Sequence, residues 1–220
     1  MRPFARLLRL FFHLLYHPFA GTYDLVAWIV SLGRWGDWVG SVVPFIEGTR
    51  VLELGHGPGH LQRILLALGL LSFGLDESWQ MGRLAKQRLF QNGYTQFKLA
   101  RGVAKSLPFP NRVFDTVIAT FPSEYIFDLR TLLETQRVLT NGGRLIVLPA
   151  AWITGQKLME RFAASFFRVT GQVPSDPIEV IYERLKTPFA EAGFRVKIEQ
   201  VEVKSSLALI VIAEKSVLRH

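Results

Sequence analysis

The stretch VLELGHGPGHLQ, residues 51–62, decides the fold. Val51 to Leu54 end an apolar, strand-like run, and glycines at 55, 57 and 59 crowd the next five positions. From His60 onward the apolar residues Leu61, Ile64, Leu65 and Leu68 recur at helical spacing. Strand, glycine turn and helix form the unit with which open parallel sheets hold ligands beyond the carboxyl ends of their strands. A dinucleotide turn follows G-x-G-x-x-G/A, and its last small residue lets helix and strand pack closely. Gly55 and Gly57 fit that spacing, but His60 occupies the final position. The pattern is G-x-G-x-G instead, preceded by an acid, Glu53. A carboxylate there opposes a pyrophosphate, which needs amide donors and a positive helix end. It suits a ligand that carries an ammonium or a sulfonium.

Outward from this turn, short apolar runs alternate with helical stretches, the sign of a sheet with helices on both faces. Strands are expected at Arg50–Leu54, Leu71–Leu75, Gln96–Ala100, Thr116–Thr120 and Arg144–Leu148. Helices are expected at His60–Leu68, Trp79–Asn92 and Leu129–Leu139. Phe194–Val203 and Ser206–Ala213, parted only by Lys204 and Ser205, read as an antiparallel hairpin that closes the sheet. The expected fold class is α/β: a Rossmann-like seven-stranded sheet, mostly parallel, with an antiparallel C-terminal hairpin. A second acid, Asp76, ends the second strand 21 residues after Gly55, close to the interval of a ribose-binding carboxylate. A nucleoside that also bears a sulfonium and an ammonium is S-adenosylmethionine, and the two acids together point to it.

Of 220 residues, 49% are hydrophobic and none is cysteine, which fits one domain over 1–220 and excludes thiolate metal sites and cysteine nucleophiles. The formal charge of +8 suits an anionic partner. Residues 1–45 read as a helical cap. Its first 20 residues line Arg2, Arg6, Arg9, His13 and His17 along one stripe, with Phe and Leu over the remainder. That is the pattern of an interfacial helix on an anionic membrane, and equally of a helix packed over the domain with its arginines in water. Charges interrupt it too soon for a membrane span. A cytoplasmic protein, free or peripheral to a membrane, is the expectation. Residues 152–174, rich in Phe and Arg, read as an inserted helical segment.

VLELGHGPG, GLDESWQM, LPFPNRVFDTVIATFP and RVLTNGGRLIVLP, in this order, resemble the class I S-adenosylmethionine-dependent methyltransferases. The nearest group in pattern is that of the ubiquinone and menaquinone biosynthesis C-methyltransferases. TYDLVAWIVSLGRWGDW is similar to the segment before the first strand in those enzymes and in bacterial phospholipid N-methyltransferases. The resemblance implies that Gly55, Gly57 and Gly59 approach the methionine part of the cofactor, with Glu53 ordering the loop. It implies that Asp76 and Glu77 meet the ribose, Met81 one adenine face, and Val103 and Ala104 the adenine edge. Tyr23 would cover the cofactor, and Thr120 and Phe121 would floor the pocket near the transferable methyl. One departure stands out: the family's Gly-Asp-Ala is Gly102-Val103-Ala104 here, without the carboxylate that accepts from the adenine amino group.

The acceptor is less legible. His56, Glu124 and Tyr125 are the candidates for a general base, each with an ordinary structural alternative: a loop hydrogen bond, a helix cap, a packing aromatic. FPSE after the fourth strand differs from the Asn-Pro-Pro-Tyr type sequence of nucleic-acid and amide N-methylating relatives, which disfavours nucleic acid. The favoured function is methyl transfer to a small or lipophilic acceptor, a quinone precursor or a phospholipid headgroup, releasing S-adenosylhomocysteine with no metal. The competing readings are a non-catalytic cofactor-binding scaffold, an RNA methyltransferase and an NAD-dependent oxidoreductase.

Overall fold

The computed structural model describes residues 31–153 and 177–216. Its elements are α1 (Trp35–Gly40), β1 (Arg50–Leu54), α2 (His60–Ala67), β2 (Leu71–Asp76), α3 (Trp79–Gln91), β3 (Lys98–Arg101) and β4 (Phe114–Thr120). They continue with α4 (Leu129–Val138), β5 (Leu139–Ile153), α5 (Pro177–Glu191), β6 (Phe194–Val203) and β7 (Ser206–Lys215). The strands form one sheet in the order β3-β2-β1-β4-β5-β7-β6. β1 to β5 are mutually parallel, whereas β7 runs antiparallel to both β5 and β6. The chain reverses direction across the sheet between β1 and β4, so the glycine turn after β1 opens at the switch point where ligands gather.

Alternating strand residues feed two cores, one on each face. Leu52, Leu54, Val117 and Leu145 belong to one cluster; Val51, Ile118, Ile146 and Leu148 belong to the other. Burying each such side chain stabilises by about 1.5–3 kcal/mol, and the pleat delivers them to both faces without interruption. At the amino-terminal edge of the sheet, Asp115 accepts from the backbone N–H groups of Thr49 (3.2 Å) and Arg50 (3.1 Å) and pairs with the Arg50 side chain at 2.6 Å. This latch sets the register of β1 against β4 and leaves the opposite edge free for chemistry.

Several boundaries depart from the sequence expectation. β3 begins at Lys98 rather than Gln96, and β4 begins at Phe114 rather than Thr116. β5 is far longer than Arg144–Leu148, because Leu139 already pairs with Phe114 before Thr140 to Gly143 loop out and pairing resumes at Arg144. Its other end runs to Ile153 through a second irregularity against β7. The segment expected at 152–174 therefore starts as strand, and its residues from 154 lie outside those described. Residues 1–30, with the amphipathic N-terminus and Tyr23, lie outside them too.

Candidate cofactor site

The turn after β1 is built by backbone conformation. Gly55, Gly57 and Gly59 have φ of 68°, 51° and 83°, a region that side-chain-bearing residues rarely adopt. A Cβ at Gly57 would meet no atom within 4 Å, but the residue is buried, with its N–H donating to Asp76 and its carbonyl accepting from His56. A Cβ at Gly59 would instead lie 3.0 Å from the Cβ of Ala85, where α2 begins against α3. The first glycine thus shapes the turn, the second ties it to Asp76 and the third lets two helices approach.

Asp76 joins this turn to α3. Its Oδ2 accepts from the Gly57 N–H at 2.9 Å and its Oδ1 from the Ser78 N–H at 2.8 Å. A carboxylate offers about four lone-pair positions, so two remain for hydroxyl donors. Ser78 then caps α3 by accepting from the Met81 N–H. Glu77 is exposed beside it, and its carbonyl accepts from Arg101 Nε of β3 at 2.9 Å. Val103 stands 47% exposed just past β3, with Ala104 partly buried against the core.

Glu53 faces inward, 1% exposed, and accepts from Gln62 Nε2 at 2.8 Å. Burial pushes its carboxyl well above the ordinary value of 4.5, which the Gln62 bond offsets only in part. Its side chain therefore ties the end of β1 to the first turn of α2. His56 is also sealed, at 4% exposure. Its Nδ1 donates to the Gly57 carbonyl at 2.7 Å, its ring lies so close to Gly74 that a Cβ there would be 2.9 Å away, and burial lowers its pKa.

Met81 is wholly buried, because Met81, Ala85 and Leu89 form the i, i+4, i+8 inner stripe of α3. Its side chain serves the core rather than an open pocket wall. Tyr125 reaches across from the turn after β4, where its hydroxyl donates to the Leu54 carbonyl at 3.0 Å. A Cβ at Gly55 would come within 2.7 Å of that hydroxyl. Glu124 is exposed. Thr120 ends β4, and Phe121 adopts a φ of 48° that turns its ring onto Trp35, with centroids 4.5 Å apart. A phenylalanine held in that conformation at a sheet's carboxyl edge is strained, and such strain gathers at functional sites.

Sequence reasoning missed the partners that fix these groups. Gln62 is the donor to Glu53; it carried no signal beyond its place in the first turn of a helix. Arg137 of α4 pairs with Glu134 and donates to the carbonyls of Leu107 (3.0 Å) and Phe109 (2.7 Å) and to Asn111 Oδ1 (2.9 Å). Glu134 in turn accepts from the Leu107 N–H at 2.7 Å, so α4 holds the LPFPN loop that follows Val103 and Ala104. Among the described residues no three His, Asp or Glu side chains gather closely enough to hold a metal ion.

The glycine turn, the two acids and the sheet order together match one family. Residues 52–147 fit the family described as methyltransferase domain. This stretch of the chain is similar to a methyltransferase domain. The chain is 34% identical over 140 residues to demethylmenaquinone methyltransferase of Thermotoga maritima, which covers 61% of this chain and 59% of that protein. It is 25% identical over 203 residues to a ubiquinone/menaquinone biosynthesis C-methyltransferase of Pseudomonas putida, covering 81% of this chain and 79% of that one. The chain spans about three-fifths of the length of the first curated relatives it matches. In fold, the chain resembles a SAM-dependent methyltransferase of Thermotoga maritima, with a TM-score of 0.61, 19% identity and 93% and 99% coverage. A phosphoethanolamine N-methyltransferase of Haemonchus contortus aligns with a TM-score of 0.56 at 16% identity over 81% of this chain and 51% of its own.

Proposed function

We propose that the chain transfers the methyl group of S-adenosylmethionine to a small, lipophilic acceptor of the quinone-precursor class. The observation that carries this reading is the left-handed glycine turn after β1, tied at Gly57 to an Asp76 carboxylate that keeps lone pairs for two hydroxyls. In this reading Gly55, Gly57 and Gly59 take the methionine end, Asp76 and Glu77 the ribose, Val103 and Ala104 the adenine edge, and Thr120 and Phe121 the floor, with Tyr23 as cover. The turn and ribose side fit that cofactor well. The adenine side offers no carboxylate at Val103, so the Ala104 N–H is the polar group left to meet the ring. The acceptor class rests on the two curated relatives that are named for quinone biosynthesis. A phospholipid headgroup rests on likeness of fold alone.

The cofactor supplies an electrophilic methyl carbon on a sulfonium. The protein's share of an in-line displacement is alignment and a dry site. Glu53 and Gln62 hold the turn rigid, and Tyr125 pins the Leu54 carbonyl beneath it. Where the acceptor must lose a proton, this reading gives that step to Glu124, exposed just after β4, rather than to the sealed His56. We read residues 1–220 as a single domain, cytoplasmic, with 1–45 as a cap that rests on an anionic membrane through residues 1–20.

The test is incubation with methyl-labelled cofactor and separate lipid, RNA and protein fractions. Label in the lipid fraction is expected. Label in RNA would overturn the acceptor class, and cofactor binding with no label in any fraction would make the protein a scaffold.

A further inference from the structure

The net charge of this protein has one address. From Ser78 to Phe114 there is no Asp or Glu, yet there are seven Lys and Arg residues; of the chain's 26 basic and 18 acidic residues, that leaves 19 against 18 everywhere else. The fold gathers much of this stretch onto a single surface. α3 packs along β3, the edge strand of the sheet, in the opposite direction. Arg101 Nε at the end of β3 donates to the Glu77 carbonyl beside the start of α3, and Phe97 before β3 meets Phe90 near the helix end, with centroids 5.2 Å apart.

On the outer side of α3, Trp79, Arg83, Lys86 and Phe90 follow at i, i+4, i+7 and i+11, a line about 16 Å long. Trp79 and Phe90 are 50% and 57% exposed. Arg83 lies over the Trp79 ring at 5.4 Å, and among the described residues no carboxylate pairs with Arg83, Lys86 or Arg101; Lys98 turns to the other face of the sheet, over the Phe73 ring at 4.6 Å. Large half-exposed aromatics alternating with unpaired cations on one helix face are the composition of a membrane-interface surface. A second copy of the chain is a poor occupant, since like charges would face each other. The rings are also poorly prepared for nucleobases, because Arg83 covers Trp79 and Phe97 engages Phe90.

We propose that the outer face of α3 and the adjoining end of β3 dock on an anionic lipid surface, with Trp79 and Phe90 entering the interface and Arg83, Lys86 and Arg101 meeting lipid phosphates. Trp79 and Val103 lie at the end of this face nearest the Asp76 carboxylate. Docking therefore brings the rim of the glycine turn to the bilayer, where a lipophilic acceptor resides. The binding itself does not depend on methyl transfer, so it stands or falls separately from the activity.

The experiment uses the full chain with phosphatidylglycerol/phosphatidylcholine vesicles in a flotation assay. Arg83→Gln/Lys86→Gln/Arg101→Gln is expected to lower partitioning by about 100-fold. Lys186→Gln/Arg195→Gln/Lys197→Gln removes the same charge around the opposite edge strand, β6, and is expected to change it less than about threefold. Because the chain has no cysteine, Gln87→Cys gives one labelling site on α3. A polarity-sensitive dye there should shift to the blue with anionic vesicles and stay unchanged with phosphatidylcholine alone or with RNA. Equal losses in the two triple variants, a silent dye on vesicle-bound protein, or a shift with RNA alone would each overturn the proposal.

Discussion

Glu53 and Val103 mark the two ends of the site at which single residues make testable demands. The Glu53 carboxyl is buried with one side-chain donor, and its pKa is raised well above 4.5. The folded chain therefore binds that proton more tightly than the unfolded chain, and this contribution to stability is lost as pH rises from about 4.5 through the raised value. Glu53→Gln keeps an oxygen for Gln62 and cannot ionise. Thermal unfolding should give the variant and the parent similar midpoints near pH 4.5, and a midpoint at least about 2 °C higher for the variant at pH 8. A parent that is the more stable at pH 8 would show that the ionised carboxylate has a partner of its own. His56 acts with the opposite sign, since its lowered pKa removes stability as pH falls below its ordinary 6.5, but it is common to both proteins and cancels in the comparison. At the other end, Val103 is exposed enough to accept a polar replacement without disturbing the core. Val103→Asp should tighten S-adenosylhomocysteine binding about threefold to tenfold, the worth of one net hydrogen bond, as read by calorimetry.

At the scale of elements, the turn between β1 and α2 is where local conformation and packing meet. Gly59→Ala asks an alanine to hold a φ of 83° with its Cβ 3.0 Å from the Ala85 Cβ and 3.1 Å from its Cα. The strained conformation costs about 1–2 kcal/mol before any clash, so the unfolding midpoint should fall by about 2–8 °C. An unchanged midpoint would mean that α2 and α3 shift apart freely. The glycines and Asp76 were legible in the sequence because their work is done by the backbone and by position within a strand–turn–helix unit. Gln62, Arg137 and Ala85 were not, since each acts on a group that only the folded chain brings near. The C-terminal hairpin was legible because two long β-branched runs flank a two-residue turn, and Lys204 takes the positive φ, 55°, that such a turn needs. α5 escaped notice because Pro188 reads as a helix breaker, yet it lies inside the last turns of that helix.

For the whole molecule, one sheet order explains why residues so far apart in sequence serve one rim. The parallel strands β1, β2, β3 and β4 all point their carboxyl ends at the same edge, so Gly57, Asp76, Val103 and Thr120 arrive there from four separate segments. Alternating apolar runs made that architecture readable. The acceptor was not readable, because it depends on side chains of irregular segments that carry no periodic signal. The same architecture would serve a dinucleotide as well as a sulfonium cofactor, and the glycine turn is what separates them. Calorimetric titration of the full chain with S-adenosylhomocysteine and with NAD, each repeated on Asp76→Ala, tests this most directly. Saturable heat with S-adenosylhomocysteine, at least about tenfold weaker binding in the variant and no heat with NAD are expected; saturable NAD binding with none for S-adenosylhomocysteine would contradict the account.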